Sequence, residues 1–124
     1  MSKWLALITG GTLGTLARYL FGGYIYQIFG TSFPFGTLIV NLTGCWLIGF
    51  FVVLSEEKFL LGPTARIFLM IGFCGAYTTF STFMLETANL MKDGENFRAL
   101  INVLLSVLLG FAALRIGILS ARLI

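Results

Sequence analysis

The chain contains no histidine. That absence removes the imidazole general base and the commonest metal ligand together. Charge is the next shortage: Asp, Glu, Lys and Arg make up 10% of 124 residues, where a soluble domain carries roughly 25%. So little polar side chain cannot cover a water-facing surface. The 58% hydrophobic content and mean hydropathy of +0.98 therefore place the chain in a bilayer. Cysteine is limited to Cys45 and Cys74, both in apolar stretches. Two such thiols make neither a disulfide framework nor a zinc set, and read as small buried hydrophobes. The net charge of +3 comes from 8 basic and 5 acidic residues, with the basic ones scattered. A nucleic-acid surface gathers them, so no nucleic-acid partner is expected. With no histidine and no soluble site, an enzyme is not expected either. Met1-Ser2-Lys3-Trp4 runs directly into apolar sequence without a small-residue cleavage pattern, so no removable leader is expected.

What is present is long apolar sequence. About 20 mostly apolar residues cross a bilayer, and the sequence predicts spans over about 4–29, 34–54, 63–91 and 97–121. Ser32-Phe33-Pro34 reads as a cap followed by a first-turn proline, and Gly62-Pro63 as a second break and restart. Ser55-Glu56-Glu57-Lys58 and Lys92-Asp93-Gly94-Glu95-Asn96 are polar turns. Connections this short make consecutive helices antiparallel neighbours. The expectation is a single all-α membrane domain over 1–124, with no soluble domain left over.

Both termini then fall on one side, with Lys3, Lys58, Arg66 and Arg122; the other side carries Lys92 and Arg98. Arg18 and Arg115 lie within spans and do not count. Loop Lys/Arg bias sets orientation, and so slight a bias is compatible with insertion either way up as well as with one fixed orientation. Four packed helices of this length fill their own centre, so a transport path would form between subunits, with a homodimer as the minimum.

Polar groups inside the membrane mark function by default. Thr37, Asn41, Gly44 and Cys45 share one helical face; the reading is either a helix–helix contact through Asn41 or a polar lining. The third span holds Gly72-Phe73-Cys74-Gly75-Ala76-Tyr77-Thr78-Thr79-Phe80-Ser81-Thr82-Phe83. Its glycines and run of hydroxyls suit a lipid-facing helix poorly. A break at mid-membrane is tolerable where protein or water surrounds it, and its free carbonyls suit a cation. The alternative is an intact helix whose hydroxyls bond back to the preceding turn. Phe80 and Phe83, three apart, share a face, and their positive ring edges favour an anion beside the Ser81 and Thr82 hydroxyls. Asn102, Ser106 and Gly110 form a stripe on the last span, readable as lining or as packing. Arg18 needs a vestibule or a partner, for which Glu86 is the candidate. Gly10 and Gly14 form a G-x-x-x-G packing signal.

These residues together resemble the Fluc (CrcB) family of fluoride channels. The resemblance spans nearly the whole chain: Gly10-Gly11 through Arg18-Tyr19, Gly36-Thr37-Leu38 through Asn41 and Gly44, and Gly72-Phe73-Cys74-Gly75 through Phe83 with Glu86. It implies a dual-topology, antiparallel homodimer in the plasma membrane (the bacterial inner membrane), with two passive pores that export fluoride and lower its cytoplasmic level. It implies a structural sodium ion held by the carbonyls of Gly75 and Thr78 at the dimer centre. It also implies a fluoride pore with Asn41, Phe80 and Phe83, and with Ser81 and Thr82 in a polar track. Thr37, Asn102 and Ser106 are further pore candidates, and Arg18 and Glu86 are vestibule or structural charges. The rival readings are a small dual-topology multidrug exporter, disfavoured because the first span has no acidic residue, and a non-transporting membrane assembly subunit, which leaves the Thr-Thr-Phe-Ser-Thr-Phe block unexplained.

Overall fold

A computed structural model describes residues 2–124, and every regular element in it is helical. Helix α1 runs Lys3–Phe29, opened by Ser2, whose hydroxyl accepts from the Leu5 amide at 3.2 Å, and closed by Gly30 at φ 82°. Helix α2 runs Phe35–Glu56. Pro34 stands at its N-cap position rather than in the first turn, and the Ser32 side chain caps nothing; its carbonyl instead accepts from Arg98 at 3.2 Å. Helix α3 covers residues 63–77 in three parts: α-helical Pro63–Arg66 with the proline in the first turn, π-helical Ile67–Cys74, and α-helical Gly75–Tyr77. After a break at 78–80, α4 runs Ser81–Lys92 and α5 runs Asn96–Arg122. Helix α2, the broken Pro63–Lys92 segment and α5 are each long and apolar enough to cross a membrane. Helix α1 has 27 residues like α5, about 40 Å of helix, but mixes glycines, threonines and Arg18 into its apolar sequence.

Small residues set how closely these helices approach. A Cβ on Gly10 would collide with the Phe68 carbonyl, and one on Gly14 with the Phe73 carbonyl. From the other side, a Cβ on Gly72 would come within 3.2 Å of the Gly10 Cα. Helices α1 and α3 therefore touch backbone to backbone along the Gly10/Gly14 stripe, the use of small residues expected in a membrane. Gly49 against the Leu114 carbonyl and Gly117 against the Trp46 carbonyl do the same for α2 and α5. The break lies at 78–80, after both glycines of the suspected stretch: Gly72 and Gly75 are helical. Gly72 serves packing against α1.

Ion pairs mark the two ends of the bundle. Glu57 pairs with Arg122, and Glu56 with Arg66 at 3.5 Å, tying the end of α2 to the end of α5 and the start of α3. The Arg122 guanidinium holds the Glu57 carboxyl below the ordinary carboxylate range. At the opposite end Arg98 sits 3.4 Å from Glu95 and bonds the Ser32 carbonyl. Since α1 begins beside the start of α3, the Lys3 and Arg122 ends of the chain share one end of the bundle.

Candidate functional site at the helix break

At Thr78 the backbone leaves the helix and becomes extended, with φ −85° and ψ 155°. A break inside a membrane releases backbone donors and acceptors that must be satisfied locally. Asn41 on α2 meets the need at Thr79: the Thr79 amide donates to Asn41 Oδ1 at 2.8 Å, and Asn41 Nδ2 donates to the Thr79 carbonyl at 2.9 Å. A side-chain amide thus replaces the neighbouring turn on both sides of one residue. The Thr79 hydroxyl accepts from the Thr82 amide at 3.2 Å and so caps α4; the Thr82 and Ser81 hydroxyls lie 3.2 and 3.5 Å from it. Arg18 Nε donates to the Ala76 carbonyl at 3.0 Å. Thr78 does bond back, its hydroxyl donating to the Cys74 carbonyl at 2.9 Å, yet the helix still ends there. Among the described residues no amide or side-chain donor bonds the carbonyls of Gly75 and Thr78.

Three cavities follow one another from the Arg98 end of the bundle to the break. The outermost, about 410 Å³, is lined by Ser32, Asp93, Glu95 and Arg98 and shares Tyr26 and Glu86 with the next. That second cavity, about 270 Å³, holds Arg18, Thr37, Thr79 and Thr82. Thr79 is common to it and to the third, about 420 Å³, which is lined by Asn41, Gly75, Thr78, Phe80, Phe83 and Ser106. The innermost cavity contains no charged side chain. Its polar groups are an amide, hydroxyls and free carbonyls.

The charges stop in the middle cavity. The Glu86 carboxylate accepts from Tyr26 Oη at 2.8 Å and from the Thr37 hydroxyl. Arg18 lines the same cavity but is not bonded to Glu86: its Nε is committed to Ala76. The expected Arg18–Glu86 pair is replaced by two separate attachments, because the neutral hydroxyls of α1 and α2 stand nearer the carboxylate. Thr37 consequently belongs with Glu86 rather than with Asn41, although one helical turn separates them.

Phe80 and Phe83 meet edge to face, ring centroids 5.8 Å apart at 77°. Phe80 belongs to the break rather than to a helix face and is 72% exposed, whereas Phe83, inside α4, is 7% exposed. Ser106 faces the innermost cavity, but Asn102 does not. At 2% exposure Asn102 is buried, donating from Nδ2 to the Thr87 hydroxyl at 2.9 Å, which donates to the Phe83 carbonyl at 2.8 Å. It props Phe83 from behind. Gly110, last in that stripe, packs toward Cys45, 3.7 Å from its sulfur to a built Cβ.

Sequence reasoning missed Tyr26, Thr87 and the Thr43–Tyr77 hydroxyl contact of 2.8 Å. Thr87 carries a usable signal, being four residues after Phe83 on the same helix. Tyr26 carries none, since a tyrosine near a span end reads as an interfacial aromatic.

The family described as CrcB-like protein, Camphor Resistance (CrcB), matches residues 5–118. A protein of Sulfurihydrogenibium sp. (strain YO3AOP1) named "Fluoride-specific ion channel FluC" is 44% identical over 124 residues, covering 100% of both chains. Namesakes from Desulforapulum autotrophicum, 45% identical over 98% of each chain, and Citrifermentans bemidjiense, 49% identical over 90% of each, are similar too.

Proposed function

The chain belongs to the CrcB-like protein family, and from that premise we propose that it is a fluoride-selective ion channel of the plasma membrane, passing fluoride passively out of the cell and so protecting it from fluoride toxicity. It is a multi-pass membrane protein and not an enzyme. Carrying this reading is the uncharged cavity at the break, which shares Thr79 with a second cavity that in turn shares Glu86 and Tyr26 with a third. Fluoride is small and tightly hydrated, and a bare ion loses tens of kcal/mol of hydration unless donors replace the water. Closely spaced neutral donors can replace it without a fixed charge that would hold the ion, and conduction requires that release.

In this reading Asn41 and Ser106 offer donors in the cavity at the break, with the Phe80 and Phe83 ring edges, and Thr82 offers one in the middle cavity. Ser81, which lines none of the three, acts only beside the Thr79 hydroxyl. Asn41 has two N–H bonds; Thr79 takes one, which leaves one for the cavity. Thr37 and Glu86 line the approach, Arg18 supplies a positive wall, and Asn102 holds Phe83 in place.

The reading includes four spans and an antiparallel dual-topology homodimer. An exposed Phe80 and an exposed Gly75, beside a cavity with polar lining, favour a second copy over lipid as the cover. Free carbonyls at Gly75 and Thr78 suit the structural sodium ion, since oxygen donors fit a hard cation. These two residues from each copy would hold it, and bound there it would raise the positive potential along the path.

The test is efflux from liposomes containing the purified protein. Fluoride is expected to leave and chloride to stay; equal efflux of both anions would overturn the proposal.

A further inference from the structure

The charges of the chain are distributed unequally between its ends. The end that holds the termini carries Lys3, Lys58, Arg66 and Arg122 against Glu56 and Glu57, with Arg115 inside the adjoining span, whereas the Lys92 and Arg98 of the other end are matched by Asp93 and Glu95. Both carboxylates of the basic end are already engaged, Glu56 by Arg66 and Glu57 by Arg122. Lys3 lies 5.1 Å over the Trp4 ring. The side chains of Lys58 and Arg115 have no hydrogen bond or ion pair among the described residues; Lys58 stands half-buried in a turn, whereas Arg115 is exposed and inside a helix.

Its position makes that isolation costly. The residues a helical turn away on either side, Phe111 and Leu119, are exposed, as is Leu108. This is the apolar, outward stripe of α5, with Arg115 in the middle of it. With the centre of α5, near residue 109, set at the bilayer midplane, Arg115 lies about 9 Å from it, roughly 6 Å below the edge of a hydrocarbon layer about 30 Å thick. Its Cα–Cβ bond also tilts toward the helix N-terminus, away from the nearer headgroups. A long side chain can reverse that tilt and snorkel, but its reach only just meets the boundary. The anion that neutralises it must come down to it.

We infer that Arg115 is a binding site for the phosphate of an anionic phospholipid, drawn slightly below the headgroup plane onto the outer face of α5. Charge complementarity selects the lipid: this end has an excess of cations with no carboxylate left, so a headgroup of net negative charge is favoured over a zwitterionic one. The site rests on the membrane placement of α5 and not on the conducted ion. In an antiparallel dimer it appears once in each leaflet.

The experiment is native mass spectrometry of the purified full chain, released from micelles holding phosphatidylglycerol or phosphatidylcholine with the same acyl chains. Phosphatidylglycerol is expected to be retained in preference. Arg115→Gln is expected to weaken that retention about five-fold, the loss of one near-surface charge on an anionic leaflet, while Arg115→Lys and Lys58→Gln keep the preference. Unchanged retention by Arg115→Gln overturns the site. Equal loss in Lys58→Gln overturns it as well, since general surface charge then explains the binding. A third refuting outcome is loss of self-association in Arg115→Gln with lipid retention intact, which would assign the guanidinium to a partner carboxylate. Fluoride efflux of Arg115→Gln, measured in parallel, is expected to persist, so failure of this site is distinguishable from failure of the channel reading.

Discussion

Replacing Asn41 with alanine tests the geometry of the break directly. The side-chain amide is the partner of both the Thr79 N–H and the Thr79 carbonyl, at 2.8 and 2.9 Å. Its deletion strands one donor and one acceptor where helical neighbours are absent. A buried unsatisfied group costs about 1–3 kcal/mol, so two cost about 2–6 kcal/mol. Thr79 is half-buried and water recovers part of this, which points to the lower bound of about 2 kcal/mol, or roughly a thirty-fold change in the population of the native break. Hydrogen exchange reads this at a single atom. The Thr79 amide is expected to exchange about thirty-fold faster in Asn41→Ala, while the Leu38 amide, bonded to the Pro34 carbonyl at the start of α2, is unaffected. Fluoride efflux is expected to fall with it, because the same amide supplies a cavity donor. An Asn41→Ala protein with unchanged Thr79 exchange would refute the clamp, whatever its flux.

Four further outcomes are expected. Phe80→Ile should reduce fluoride efflux in liposomes while leaving self-association by size-exclusion chromatography intact; undiminished flux would remove the ring from the path. Gly117→Ala places a methyl against the Trp46 carbonyl and should lower thermal stability by about 1–3 kcal/mol. Gly11→Ala meets nothing within 4 Å and should be neutral or slightly stabilising; a reversed order would contradict the α2–α5 packing. The Glu57 carboxyl titrates below its ordinary range because of Arg122, so the pair contributes in full above the unfolded carboxylate range and loses that contribution as pH falls through the folded value. The stability difference between wild type and Arg122→Gln should therefore be present near neutrality and vanish in acid, and an equal difference at both would refute it. Cysteines introduced near the termini should label from both sides of the membrane in comparable amounts; labelling from one side alone would exclude dual insertion.

What the sequence made legible, and what it hid, divides by the range of the interaction. The helices and their turns follow from local composition, as do the uses of Gly10, Gly14 and Pro63. A break was legible too, because Thr78, Thr79, Ser81 and Thr82 offer hydroxyls where a lipid-facing helix would have Leu. Its exact residue was not, since Thr79 is satisfied by Asn41 across 38 positions and no local pattern encodes that pair. Glu86 shows the same limit. From charge alone its partner is Arg18, whereas the fold gives it Tyr26 and Thr37 and sends Arg18 to the Ala76 carbonyl. Electrostatic pairing read from a sequence assumes that opposite charges find each other; in a tightly packed membrane bundle, whichever donors the backbone brings nearest take the carboxylate first. The π-helical stretch Ile67–Cys74 has no signature in its own composition, but it coincides with the closest approach of α1, at the Phe68 and Phe73 carbonyls. The glycines of one helix and the irregular backbone of another thus belong to a single contact. That contact positions Ala76 for Arg18, two residues before the backbone leaves the helix at Thr78.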